Sequence, residues 1–75
     1  MSKLPHLSGK EVIKALSKVG FQPARQKGSH VVLVKQTENG RVGVPVPLHK
    51  EIDIGTLLEI IRQAGLKREE FLKLL

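Results

Sequence analysis

The sequence predicts an α+β domain of two layers: a three-stranded antiparallel sheet with its helices on one face, and a short extra helix at the C-terminal end. Three observations predict it. Apolar residues recur at helical spacing in two capped stretches, one after Ser8 and one after Asp53. Between them lie three strand-like runs separated by Gly28-Ser29 and Asn39-Gly40, dipeptides suited to tight hairpins. The order α-β-β-β-α-α then leaves a sheet whose one apolar face must be covered by the helices.

The chain of 75 residues is read as one domain, residues 1–75, with a thin core for its size. The opening Met1-Ser2-Lys3-Leu4-Pro5-His6 has no signal-peptide apolar run, and residues 1–7 read as an extended arm. Ser8-Gly9-Lys10-Glu11 is a capping box: the serine oxygen can accept from the Glu11 amide while the glutamate reaches back. Val12, Ile13, Leu16 and Val19 form the apolar face, Lys10, Lys14 and Lys18 make a lysine stripe, and Gly20 is a left-handed stop.

Residues 21–27 read as a first strand, weakened by Pro23. Gly28-Ser29 suits a type II′ turn with glycine first. Residues 30–36 are the clearest strand, rich in β-branched side chains. Residues 41–48 form the third, and Pro45 and Pro47 remove ladder donors, which makes it an edge. Asp53 caps a helix carrying Ile54, Leu57, Leu58 and Ile61, and Gly65 stops it. The last helix, 66–75, has Phe71, Leu72 and Leu75 on its apolar side but Lys67 at a position better served by serine or threonine.

Register can be argued from alternation. With Asn39-Gly40 as a two-residue loop, Leu33 faces Val46, Val31 faces Leu48 and Lys35 faces Val44, on the core side with Val42. On the open side Val34 faces Pro45, Val32 faces Pro47, and His30 faces His49. A one-residue slip would expose the valines of the third strand and bury Arg41. In the first hairpin, Lys27 falls opposite His30 and Arg25 opposite Val32. That register places Phe21 on the open face, where it does not belong, so either a bulge near Pro23 restores it or the register of the first hairpin is a different one.

The charge points to a partner. Thirteen lysines and arginines against seven acidic residues give +6, and nine of the basic residues but only two acidic ones lie in residues 1–50. Such a surface attracts phosphate backbones in a salt-dependent way. Cysteine is absent, which excludes disulfides and thiolate metal sites. No apolar stretch approaches the roughly 20 residues of a membrane span, so the expectation is a cytoplasmic protein with no membrane partner. His30 and His49 are too few for a metal site unless Glu51 or Asp53 joins them, and no metal or other cofactor is expected.

The cluster of His30 with Lys27, Arg25 and His49 suits metal-independent RNA cleavage. That reaction needs a base for the 2′-hydroxyl, a cation for the phosphate and an acid for the leaving 5′-oxygen. Imidazole serves as base or acid near neutral pH, and lysine and arginine hold phosphate. His30 is the candidate catalytic residue. Arg25, Lys27, Ser29, His49, Lys10 and Lys14 are candidate RNA contacts. Each has a plainer reading. His30 can pack beside its turn, His49 can shape a loop, Ser29 fits a turn better than a nucleophile, and a lysine stripe is commonly a solvated face. His6, on the arm, has no evident role.

The chain resembles the HicA (YcfA-like) family of small messenger-RNA-cleaving toxins of toxin–antitoxin systems. The residues that carry the resemblance are Leu7-Ser8-Gly9-Lys10-Glu11, Gly20-Phe21, Gln26-Lys27-Gly28-Ser29-His30, Val44-Pro45 with Leu48-His49, and Gly55-Thr56-Leu57. They continue in Ile60-Ile61-Arg62-Gln63-Ala64-Gly65-Leu66 and Glu69-Glu70-Phe71-Leu72. Lys67 and the stretch Lys50-Glu51-Ile52-Asp53 depart from the family pattern. The resemblance implies a fold like the double-stranded-RNA-binding domain and a ribosome-independent endoribonuclease acting on mRNA, with its essential histidine at His30. It also implies a HicB-type antitoxin that covers that histidine.

Two other classes fit parts of the sequence. A non-catalytic RNA-binding module of the same fold would grip phosphates with lysines at the start of the long final helix, where this chain has Asp53-Ile54-Gly55-Thr56. An interaction protein would use the apolar open-face patch of Val32, Val34 and Pro45, which an antitoxin could equally cover.

Overall fold

The computed structural model describes residues 4–75, so the first three residues of the expected arm lie outside the described residues. The elements are α1 (Gly9–Ser17), β1 (Gln22–Lys27), β2 (His30–Thr37), β3 (Gly40–Pro47), α2 (Ile54–Gln63) and α3 (Arg68–Leu72). The sheet is antiparallel in the order β1-β2-β3, which puts the proline-bearing β3 on an edge and β2 in the middle. The α+β architecture and its element order are those the sequence predicts.

Helix boundaries follow local chemistry. Ser8 Oγ accepts from the Glu11 amide at 3.2 Å and Glu11 Oε1 accepts from the Ser8 amide at 2.9 Å, so the capping box is complete. Asp53 caps α2 by accepting from the Thr56 amide at 3.1 Å. Gly20 and Gly65, past the two main helices, take the positive φ that suits glycine. The last helix is shorter than the expected 66–75. Lys67 offers no acceptor to the helix start, and only the return bond is made, from the Lys67 amide to Glu70 Oε1 at 2.7 Å.

The first hairpin has the expected register, Lys27 with His30, Gln26 with Val31 and Arg25 with Val32. Gly28 has φ 60° and Ser29 is not left-handed, the pattern of a type II′ turn. An irregularity between Pro23 and Arg25 then shifts the pairing to Pro23 with Leu33. This is the bulge that Phe21 requires, and it brings that ring into the core at 1 % exposure.

The second hairpin corrects the expected register. Its connection is Glu38-Asn39, with Thr37 paired to Gly40. Only Gly40 has positive φ, at 117°, so Asn39-Gly40 is not the central pair of a type I′ turn. Leu33 therefore faces Val44, Val31 faces Val46 and Lys35 faces Val42. On the open side Val34 faces Gly43, Val32 faces Pro45, and His30 faces Pro47 rather than His49. The offset is two residues, so every side chain keeps the face expected of it.

One apolar cluster joins the layers. Val31, Leu33, Val44 and Val46 of the sheet meet Val12, Ala15 and Leu16 of α1, Leu57, Ile60 and Ile61 of α2, and Phe71 of α3. Lys35, on the core side, is half-buried. It lays its stem over Phe21 and carries its Nζ 5.7 Å from the ring centroid, so a charged residue ends the core instead of interrupting it.

Candidate active site

Three segments converge at one end of the sheet. The first is the turn Gly28-Ser29 and His30, the opening residue of the central strand. His30 is bracketed by Lys27 on β1 and Pro47 on β3, so its backbone is fixed from both sides while its side chain is exposed. The second is the segment 48–52. Leu48 donates its amide to the Ser29 carbonyl at 2.6 Å, which carries the ladder one pair beyond β3. The third is the approach to α1. The Gly9 amide donates to the His49 carbonyl at 3.0 Å, and the Ile52 amide to the Leu7 carbonyl at 2.7 Å.

Gly9 matters to this convergence. A Cβ at Gly9 would fall inside contact distance of the Pro47 carbonyl oxygen, and 3.0 Å from Leu48 Cα. Only glycine lets the first turn of α1 approach this backbone so closely. His49 is thereby held by main-chain bonds on either side, and its own side chain is exposed.

His30 and His49 open onto one cleft of about 500 Å³. Pro45 and Pro47 complete the wall they share. The opposite wall is α2, through Asp53, Thr56, Glu59 and Gln63. Nothing in the residue pattern announces this second wall, because these side chains lie on the polar side of an amphipathic helix.

Both carboxylates on that wall are already engaged within the helix. Asp53 accepts from Thr56 Oγ1 at 2.8 Å and from the Thr56 amide, and these bonds hold its carboxyl below the usual range. Glu59 accepts from the Arg62 guanidinium through Nε at 2.9 Å and through a second nitrogen, and from Gln63 at 3.1 Å. The Arg62 bonds hold its carboxyl down as well. Both therefore stay anionic at neutral pH.

The other candidate residues divide between this site and elsewhere. Arg25 and Lys27 are exposed on the open face beside Val32 and His30. Ser29 lies in the turn and contributes its carbonyl. Lys10 lines a small pocket with His49 and Lys50, so one lysine of the α1 stripe reaches this end of the molecule. Lys14 does not. It lies with Lys18 along a groove toward Leu74, whose carbonyl takes the Lys18 ammonium at 2.7 Å. His6 faces Glu51 at 3.4 Å, with both side chains exposed. Among the described residues no group of three or more His, Asp or Glu could hold a metal ion, and no helix is long and apolar enough to cross a membrane.

A family model described as the HicA toxin of bacterial toxin–antitoxin systems matches residues 9–66. The chain belongs to the HicA toxin family. The HicA match begins at Gly9, where α1 meets the His49 segment, and runs through both histidines and the α2 wall to the end of that helix. Only the arm and α3 lie outside it. Membership implies a toxin role and an antitoxin partner. No curated protein matches the chain.

Proposed function

We propose that this HicA chain is a single-domain toxin that cleaves mRNA without a metal, with His30 as its catalytic residue, and that a HicB-type antitoxin silences it by covering that histidine. The observation that carries this reading is the placement of His30. Its backbone is fixed at the head of the central strand, its imidazole is exposed, and a lysine stands directly across the hairpin.

Lys27 and Arg25 supply cations for the phosphate along the open face, and imidazole exchanges protons near neutral pH. The open face also carries half-buried Val32 and Val34 beside exposed Pro45, a surface that a protein partner can cover together with His30. The sequence, basic overall and without an apolar span, suits action on mRNA in the cytoplasm.

The test is incubation of the purified chain with a long mRNA in EDTA, wild type against His30→Ala. Cleavage by the wild type and none by a folded His30→Ala variant is the expected result. Equal cleavage by both removes His30 from the mechanism. Salt-sensitive RNA binding without cleavage by either replaces the nuclease with an RNA-binding module.

A further inference from the structure

We propose that His49 is a second catalytic residue, the acid that protonates the leaving 5′-oxygen while His30 takes the proton of the 2′-hydroxyl. The proposal rests on the nuclease reading above and assigns the half of the proton traffic that one histidine does not cover.

Geometry is the first argument. His49 follows two residues after Pro47, and Pro47 is the cross-strand partner of His30. The next pair out, Ser29 with Leu48, is still joined through its backbone at 2.6 Å, so the two histidines leave adjacent strand ends. Both side chains are exposed and both line the same cleft. The His49 backbone is tied down through Leu48 to the turn preceding His30, and through its own carbonyl to Gly9. Backbone joined in this way keeps the attachment points of the two imidazoles together, the proximity that catalysis by positioned groups uses.

Elimination is the second argument. Apart from the histidines, the titratable residues lining the cleft are Asp53 and Glu59. Each is held as an anion by its own hydrogen bonds, and an anion has no proton to give. Lys10 and Lys50 border His49 on its other side, and Lys27 faces His30. Ammonium groups can hold the phosphate there, but imidazole is the group suited to proton transfer at neutral pH. Another hollow, about 560 Å³ and lined by Gln22, Lys35 and Arg41 among others, has cations on its wall and no histidine.

The reaction balances without a co-reactant. The 2′-oxygen loses its proton to His30 and bonds to phosphorus. The bond from phosphorus to the 5′-oxygen breaks, and His49 donates a proton to that oxygen. The products are a 2′,3′-cyclic phosphate and a 5′-hydroxyl.

The experiment uses an oligonucleotide spanning a mapped cleavage site, made once with the natural 5′-oxygen and once with sulfur in that bridging position. A thiolate leaves without an acid. His49→Ala and His49→Gln should both lose about 10²–10⁴-fold on the oxygen substrate, the usual contribution of a proton-transfer group. On the sulfur substrate both should return to within about tenfold of wild type, while His30→Ala stays inactive. The wild-type pH–rate profile should fall on both sides, and the His49 variants should lose the fall at high pH. Wild-type rates in the His49 variants overturn the proposal. So does an equal loss on both substrates with an unchanged pH profile, which marks a structural role. A wild type that cuts no mRNA in EDTA, so that no cleavage site can be mapped, overturns the nuclease reading itself.

Discussion

Gly9→Ala should destabilise the fold, although alanine is the better helix former. In an exposed helix interior the exchange gains about 1 kcal/mol. Here the new methyl group meets backbone, not a side chain that could rotate away. It would sit too close to the Pro47 carbonyl oxygen, 3.0 Å from Leu48 Cα and 3.1 Å from the Pro47 carbonyl carbon. Overpacking of this kind costs about 1–3 kcal/mol. Pushing α1 away also weakens the bond from the Gly9 amide to the His49 carbonyl, about 1 kcal/mol more. The net loss is about 2 kcal/mol, or a melting temperature lowered by roughly 8–16 °C in a domain of this size. Thermal unfolding followed by circular dichroism measures it. Gly55→Ala, also in the first turn of a helix, is the control, since its Cβ would meet only the Asp53 carboxylate at 3.3 Å. A Gly9→Ala protein that melts at or above wild type would refute the account of how α1 holds the His49 segment.

Three further outcomes are expected. Leu33→Ala, at a fully buried position on the central strand, should cost about 2–5 kcal/mol by urea titration, a large share of the roughly 4–11 kcal/mol available to 75 residues, whereas His30→Ala should stay within about 0.5 kcal/mol of wild type. Asp53 and Glu59 have folded-state carboxyl pKa values below their ordinary ones, so the stability they contribute is present above the ordinary carboxylate range and is lost as pH falls through the lowered values; the urea midpoint should drop on acidification below about pH 4, less steeply in Asp53→Asn. Lys27→Ala and Arg25→Ala should each flatten the logarithmic salt dependence of RNA binding by about 0.7 if each neutralises one single-strand phosphate, and an unchanged slope would remove them from the interface.

Most of the scaffold was legible because local chemistry decides it. Ser8 with Glu11, Asp53, Gly20, Gly65 and Gly28 act within a few residues of themselves, and the structure uses each as its chemistry suggests. For β1 the sequence exposed a conflict without resolving it: a buried Phe21 required either a bulge near Pro23 or another turn register, and the structure keeps the register and makes the bulge. The second hairpin could not be placed. Alternation distinguishes a slip of one residue but is blind to a slip of two, so Asn39-Gly40 and Glu38-Asn39 connections bury the same valines. The error falls on the site, because it decides whether His30 faces His49 or Pro47. The α2 wall was hidden for a different reason. Which side of a helix overhangs a sheet edge is a tertiary fact, and Thr56, Glu59 and Gln63 read as solvated.

The way this end of the sheet is assembled separates stability from chemistry. The bonds that join the turn, the 48–52 segment and α1 run between backbone atoms: Leu48 to Ser29, Gly9 to His49, and Ile52 to Leu7. The side chains of His30, His49, Lys27 and Arg25 are exposed and contribute nothing to the core. Packing does not constrain their identities, so substituting them tests the proposed chemistry while the fold stands. Gly9 is the opposite case. It has no side chain to offer a substrate, yet its lack of one lets the helix touch the end of β3, from which the chain runs on to His49. Loss of activity at Gly9 with loss of stability, and loss of activity at His49 without it, would be two readings of one arrangement, taken from its support and from its working face.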